Sequence, residues 1–288
     1  MTEPIIGINI EDNHISIGLV DIESRKILSN TVQRKRVNPS GSAEQIIATW
    51  TTALKEVAQN CENIGIGLPG LCDYVTGTML MNDAGRYNGL YQQSLKKIFA
   101  GIIGTSTDNV KIMNDAVCFL QGEVFGGSGR GFKSSIGITL GIGLGTAKYQ
   151  NGVVTDELLQ NVDISGHRAE DLISIRWLLQ RFKGLSGIYA NDLMEMKQHE
   201  ANPYFQQVFD EFARNLASFI ILFIRQSSPE VVVIGGFMET CNRYFFDSVT
   251  SLLVAEGIKV PILRATLGEQ ASIIGAASSW YSEAQIHA

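Results

Sequence analysis

Three times in this chain a run of aliphatic, largely β-branched residues passes directly into glycine. The runs are Ile64-Gly65-Ile66-Gly67-Leu68-Pro69-Gly70, Ile138-Thr139-Leu140-Gly141-Ile142-Gly143-Leu144-Gly145-Thr146 and Val231-Val232-Val233-Ile234-Gly235-Gly236. Short apolar runs bounded by glycine read as buried strands ending in turns. A glycine turn uncovers backbone N–H groups and permits φ > 0, which is how such loops cradle phosphates. Read alone, the same turn is equally a tight hairpin. Glycine is also abundant, 29 of 288 residues against a usual share of about 7%. Ten of these glycines lie between Gly122 and Gly152.

The rest of the pattern alternates strands with helices. Strands are expected at 5–10, 14–21 and 26–37 as an opening meander, then at 63–68, 110–113, 135–140, 146–150, 231–234 and 261–265. Apolar residues at three- and four-residue spacing predict helices at 43–59, 90–100, 117–125, 169–182, 190–199, 206–226, 238–255 and 270–281. A length of 288 residues favours two lobes with their own cores. The fold class is α/β, with a boundary expected near residues 114–125.

Composition narrows the partners. The net charge is −6, and Lys and Arg are scattered apart from Arg34-Lys35-Arg36 and Lys96-Lys97. No basic stripe matches a phosphate backbone, so nucleic acid is not an expected partner. The most apolar segment after the N-terminus, 216–224, is nine residues long, far short of the ~20 that span a bilayer. No membrane partner is expected. Residues 1–4 carry no basic n-region. Cys61, Cys72, Cys118 and Cys241 form no CxxC pattern and read as reduced thiols in or near the core. The expected location is the cytoplasm.

Asn114-Asp115 follows a strand and precedes a helix. That sets a carboxylate at a strand's carboxyl end, where open α/β sheets place ligands. Asp115 as a simple helix cap is the competing reading.

With these segments in view the chain resembles the ROK (repressor, open reading frame, kinase) group of actin-like sugar kinases over about residues 4–281. The resemblance rests on Gly65-Ile66-Gly67-Leu68-Pro69-Gly70 with Asp73 and Thr76-Gly77, on Asn114-Asp115-Ala116, and on Gly126-Gly127-Ser128-Gly129-Arg130-Gly131. It continues in Leu140-Gly141-Ile142-Gly143-Leu144-Gly145 with Asn151-Gly152, in Val233-Ile234-Gly235-Gly236, and in Leu267-Gly268-Glu269-Gln270-Ala271 with Gly275-Ala276-Ala277.

The resemblance implies two actin-like (ribonuclease H-like) lobes around a central cleft, 1–116 with 270–288 and 117–269. It implies ATP and Mg²⁺ as cofactors, a sugar substrate and a homodimer. In the family the aspartate of the Asn-Asp pair is the general base, which makes Asp115 catalytic and Asn114 and Asp115 sugar ligands. Gly141, Gly143, Gly145 and Thr146 would cradle the phosphates, with Gly235 and Gly236 beneath the adenosine. Asn82, beside Asp83, stands in the usual sugar-facing loop, although a plain turn accounts for it nearly as well.

Two segments depart from the family. Its first phosphate loop reads aspartate, an apolar residue, two glycines and threonine, where this chain has Asn9-Ile10-Glu11-Asp12-Asn13. Two carboxylates replace the glycines that let the backbone turn under phosphates, and such charges repel a triphosphate. The second departure is the Gly-Glu-x-Gly-His motif and cysteine-rich zinc loop, absent from residues 156–171. There Glu157 and Glu170 match the sugar-binding glutamates, and His167 stands in for the motif histidine. A solvated loop explains His167, and a helix-dipole partner explains Glu170, equally well. The repressors of the group carry a helix-turn-helix ahead of the first strand, a class not expected with only residues 1–4 in that place. Two functions stay open: an ATP-dependent kinase of a hexose or related sugar, and a non-catalytic binding protein of kinase descent.

Overall fold

The structure is a computed structural model, described for residues 3–58, 61–82, 86–236 and 240–281. The chain divides into two compact units. Unit 1 comprises Met1–Gly131, Gly152–Val154 and Glu269–Ala288, and unit 2 comprises Phe132–Asn151 and Thr155–Gly268.

Unit 1 opens with β1 (Ile5–Ile10), β2 (His14–Asp21), β3 (Lys26–Ile27) and β4 (Gln33–Arg36), followed by α1 (Ala43–Lys55) and β5 (Ile64–Leu68). A two-residue ladder of β6 (Cys72–Asp73) and β7 (Thr78–Met79), then α2 (Leu95–Ile103), β8 (Val110–Asn114) and α3 (Asp115–Gly126), follow. The sheet runs β3-β2-β1-β5-β8, with β4 also on β2. β1, β5 and β8 are parallel neighbours.

The expected third strand is split. Leu28 and Thr31 turn the chain outward, the Thr31 hydroxyl donating to Leu28 O at 2.8 Å and accepting from Leu19 N at 3.1 Å, with Asn30 at φ 64°. A side-chain oxygen thus replaces a ladder partner. The helix expected at 90–100 starts later, at Leu95, where Ser94 accepts from Lys97 N.

Unit 2 holds β9 (Ser134–Leu140), β10 (Leu144–Gln150), the second half of β11 (Val153–Asp156), β12 (Asp163–Ile164) and β13 (His167–Arg168). Then come α4 (Ala169–Leu172), α5 (Ile175–Ser186), α6 (Leu193–Lys197), α7 (Pro203–Ser227), β14 (Val231–Gly235), α8 (Asn242–Ala255) and β15 (Ile262–Arg264). Its sheet runs β11-β10-β9-β14-β15, and β14 is parallel to both neighbours. The helix expected over 169–182 breaks at Ser174, whose buried hydroxyl accepts from Trp177 N and restarts the chain as α5. On α7 the buried Phe205, Phe209, Phe212, Phe219 and Phe223 repeat at helical spacing, and they fill the core together with Phe182 and Phe245. The expected start of α8 at Met238 lies outside the described residues.

The chain returns to unit 1 with α9 (Ala271–Ser278). The sequence boundary placed residues from 117 onward in the second lobe. In the structure α3 belongs to unit 1, because Gly122 and Gly275 bring α3 and α9 into backbone contact: a Cβ on Gly275 would lie 1.8 Å from Cys118 O.

Candidate functional site

The parallel strands of unit 1 end together. Register pairs Asn9 with Gly67, and Leu68 with Asn114, so β1, β5 and β8 present their carboxyl ends side by side. Asn114 caps α3, its Oδ1 accepting from Ala116 N at 2.8 Å and Val117 N at 3.4 Å. Asp115 is therefore the first helical residue, and its Oδ1 also accepts from Ala116 N at 2.9 Å. The cap expected of Asp115 is supplied by Asn114, whose amide NH₂ takes no part in the cap. A carboxylate at a helix N-terminus sits where negative charge is favoured. Gly67 keeps this corner tight, because a Cβ there would meet Cys118 Sγ at 3.1 Å and Asn9 Oδ1 at 3.4 Å. Asn9 is nine-tenths buried, and its Oδ1 has no hydrogen-bond partner.

The turn after β1 is an acidic brace. Glu11 N donates to His14 O at 2.8 Å and closes the hairpin. The Glu11 carboxylate pairs with Arg34 at 3.1 Å, and Arg34 pairs in turn with Glu269 at 2.8 Å. Asp12 pairs with Arg86 at 3.0 Å, and the Tyr87 hydroxyl donates to Glu11 O at 2.7 Å. Burial pushes the Glu11 carboxyl above its ordinary value, Arg34 opposing. Burial, reinforced by the charges of Asp12 and Glu11, pushes the Tyr87 phenol up as well.

In unit 2 the ends of β9 and β14 lie together, Thr139 beside Gly235. Gly236 follows at φ +99°, and a Cβ on it would meet Leu140 O at 2.7 Å. A side chain is barred there twice over, by conformation and by contact. Between β9 and β10, Gly141 N donates to Gly143 O at 3.0 Å and Gly141 O accepts from Ile175 N at 2.9 Å. Among the described residues the amides of Ile142 and Gly143 make no hydrogen bond. Leu144 N donates to Glu170 Oε2 at 3.2 Å.

The remaining expected residues fall as follows. Gly145 lies inside β10 opposite Thr139. Thr146 is buried, its hydroxyl accepting from Leu159 N at 3.1 Å and its carbonyl from Glu157 N at 3.1 Å, so it pins the following loop. Glu157 accepts from the Thr155 hydroxyl at 2.8 Å. His167 is exposed on β13, and Asn82 is exposed with its neighbour Asp83 outside the described residues. Glu170 is bound by Arg168 at 3.3 Å and Arg176 at 3.2 Å. The sequence reading missed Arg34, Arg86 and Arg176 as partners of these carboxylates and Tyr87 as a donor to the Glu11 carbonyl. Those of the β1 turn stand up to 76 positions away, as Tyr87 does from Glu11, and no local spacing announces them. All four cysteines are buried, as expected, and among the described residues no helix is long and apolar enough to cross a membrane.

Comparison with known proteins places these strand ends in a context. A sequence model of the ROK family matches residues 5–156 and 169–283. The stretch between them falls in the segment where the zinc loop is missing. A glucokinase of Thermotoga maritima is 24% identical over 323 aligned residues, spanning 95% of this chain and 96% of the relative. The N-acetylgalactosamine kinase AgaK of a Shewanella species is 21% identical, spanning 94% of each. Among solved structures, a ROK family glucokinase of Streptomyces griseus, in complex with glucose and AMPPNP, matches with a TM-score of 0.78 at 22% identity. That match covers 96% of this chain and 98% of the other. The fold is that of the actin-like ATPases, mixed α/β throughout.

Proposed function

This chain belongs to the ROK family, and from that premise we propose that it transfers the γ-phosphoryl group of ATP to a hydroxyl of a hexose or related sugar. The observation that carries the reading is Asp115, set by the Asn114 cap at the first turn of α3 and at the carboxyl ends of parallel strands. In the proposed step the sugar hydroxyl oxygen bonds to the γ-phosphorus, its proton passes to the Asp115 carboxylate, and ADP leaves. Proton acceptance of this kind typically contributes 10²–10⁴-fold. The Asn114 amide would orient the sugar, the Ile142 and Gly143 amides would receive phosphate oxygens, and Gly235 with Gly236 would lie beneath the adenosine.

Mg²⁺ supplies charge neutralisation on the phosphates when bound. Among the described residues no three His, Cys, Asp or Glu side chains gather to hold a metal.

The braced turn at Glu11 and Asp12 favours a second reading, a protein that binds the sugar without transferring phosphate. Its carboxylates occupy the place of the family's phosphate-binding glycines, and Arg34 and Arg86 are engaged with them. One assay separates the two readings. Wild type and Asp115→Asn are presented with ATP·Mg and a panel of hexoses and N-acetylhexosamines, the classes named by its relatives. The kinase reading expects sugar-dependent ADP release that falls at least 100-fold in the variant while sugar still stabilises it. Thermal stabilisation by sugar with no ADP release from wild type would establish the binding protein.

A further inference from the structure

Glu170 is the charged side chain most firmly joined to the glycine loop of unit 2. Its carboxylate is 20% exposed, while Arg168 and Arg176, which both donate to Oε1, are more than half exposed. Oε2 takes the Leu144 amide at 3.2 Å. The same oxygen explains a glycine: a Cβ on Gly143 would lie 2.6 Å from Oε2, whereas one on Gly141 would meet nothing closer than Gly143 O at 3.8 Å. Gly143 is therefore the notch in which Glu170 seats. The other end of the loop is tied by the Ile175 amide to Gly141 O at 2.9 Å. Residues 169–175 thus hold the loop at both ends.

We propose that Glu170 is a positioning residue for the glycine loop. It fixes Leu144 and the turn at Gly143, so that the Ile142 and Gly143 amides stand uncommitted for phosphate oxygens. This rests on the reading of that loop as the phosphate receiver, and it gives Glu170 a role other than the expected sugar contact. The two arginines complete the device. A lone carboxylate beside the loop would repel phosphate, and two guanidinium groups on Oε1, that of Arg168 shared with Asp171 at 3.3 Å, offset its charge. A loop held in the binding geometry before the ligand arrives pays no ordering cost on binding.

The test compares wild type, Glu170→Ala, Glu170→Gln, Gly143→Ala and the double variant Gly143→Ala/Glu170→Ala, using amide hydrogen exchange at Leu144 and calorimetry with ADP and with D-glucose. In Glu170→Ala, Leu144 exchange is expected to quicken at least tenfold and ADP affinity to fall at least tenfold. Glu170→Gln keeps an acceptor for the amide and restores most of the protection. Gly143→Ala clashes with the carboxylate, and removing Glu170 in the double variant relieves the clash, giving clear non-additivity. Unchanged Leu144 exchange in Glu170→Ala would overturn the proposal, as would a loss of glucose affinity with ADP affinity intact. If wild type binds no ADP, the phosphate-receiver reading falls, and the strut stands or falls on exchange alone.

Discussion

Asn9, the penultimate residue of β1, carries an amide whose nitrogen donates to Glu11 at 3.3 Å and whose buried oxygen has no partner. An unsatisfied buried acceptor costs about 1–3 kcal/mol, so Asn9 carries an unmet hydrogen-bond demand in the folded chain. Beside it, Glu11 carries a second cost. Burial raises its pKa in the folded state despite Arg34. A carboxyl with a raised folded pKa favours folding while protonated; that contribution is complete below the unfolded value and is lost as pH rises through the folded one. Glu11→Gln is therefore expected to match wild type in Tm below about pH 4 and to exceed it increasingly from there toward neutrality, Arg34 keeping Glu269 as a partner. A constant offset across that range would show that titration of Glu11 is not the cause. The residue identities at 9, 11 and 12 were readable in the sequence as a departure from the family's glycine loop. The ion pairs that turn the departure into a closed brace were not, because Arg34, Arg86 and Glu269 reach the turn only through the fold.

At the scale of elements, the alternation Ile64-Gly65-Ile66-Gly67-Leu68 has a double meaning. Ile64, Ile66 and Leu68 face the core built with α1 and α2, which holds Trp50 and Phe99. The glycines face α3 and α9, where a Cβ on Gly65 would lie 1.9 Å from Ala276 O. Part of the glycine excess thus serves helix docking and not ligand binding. The crossing of α3 on α9 is the sharpest case. Gly275→Ala is expected to destabilise the protein by about 3 kcal/mol through overpacking against Cys118 O. The check is a lower urea midpoint at unchanged m. The control is Gly101→Ala on α2, where a Cβ meets nothing within 4 Å and a gain of about 0.5–1 kcal/mol is expected. Equal losses in both variants would rule out the docking account. The sequence showed the strand and its period of two, but it could not show that the glycine face meets helix backbone, since α9 arrives from the far end of the chain.

At the scale of the molecule, the two compact units divide the candidate chemistry: Asp115, Asn114 and Asn9 in unit 1, the glycine loop with Glu170 and Gly236 in unit 2. Amide exchange should therefore separate the ligands, a bound sugar giving its largest protection at residues 114–117 and ADP at residues 141–144. Protection by ADP confined to unit 1 would overturn the assignment of the loop. The sequence by itself determined the α/β class, most of the longer strands and helices, the family, and the placing of Asp115 at a strand end, because apolar period, capping residues and glycine turns are local properties of the chain. Tertiary structure alone decided that α3 belongs with the first unit, that Glu11 and Asp12 are braced by arginines, and that Glu170 seats in the notch of Gly143. Those outcomes depend on which distant side chains meet, and packing fixes such meetings only after the backbone has closed.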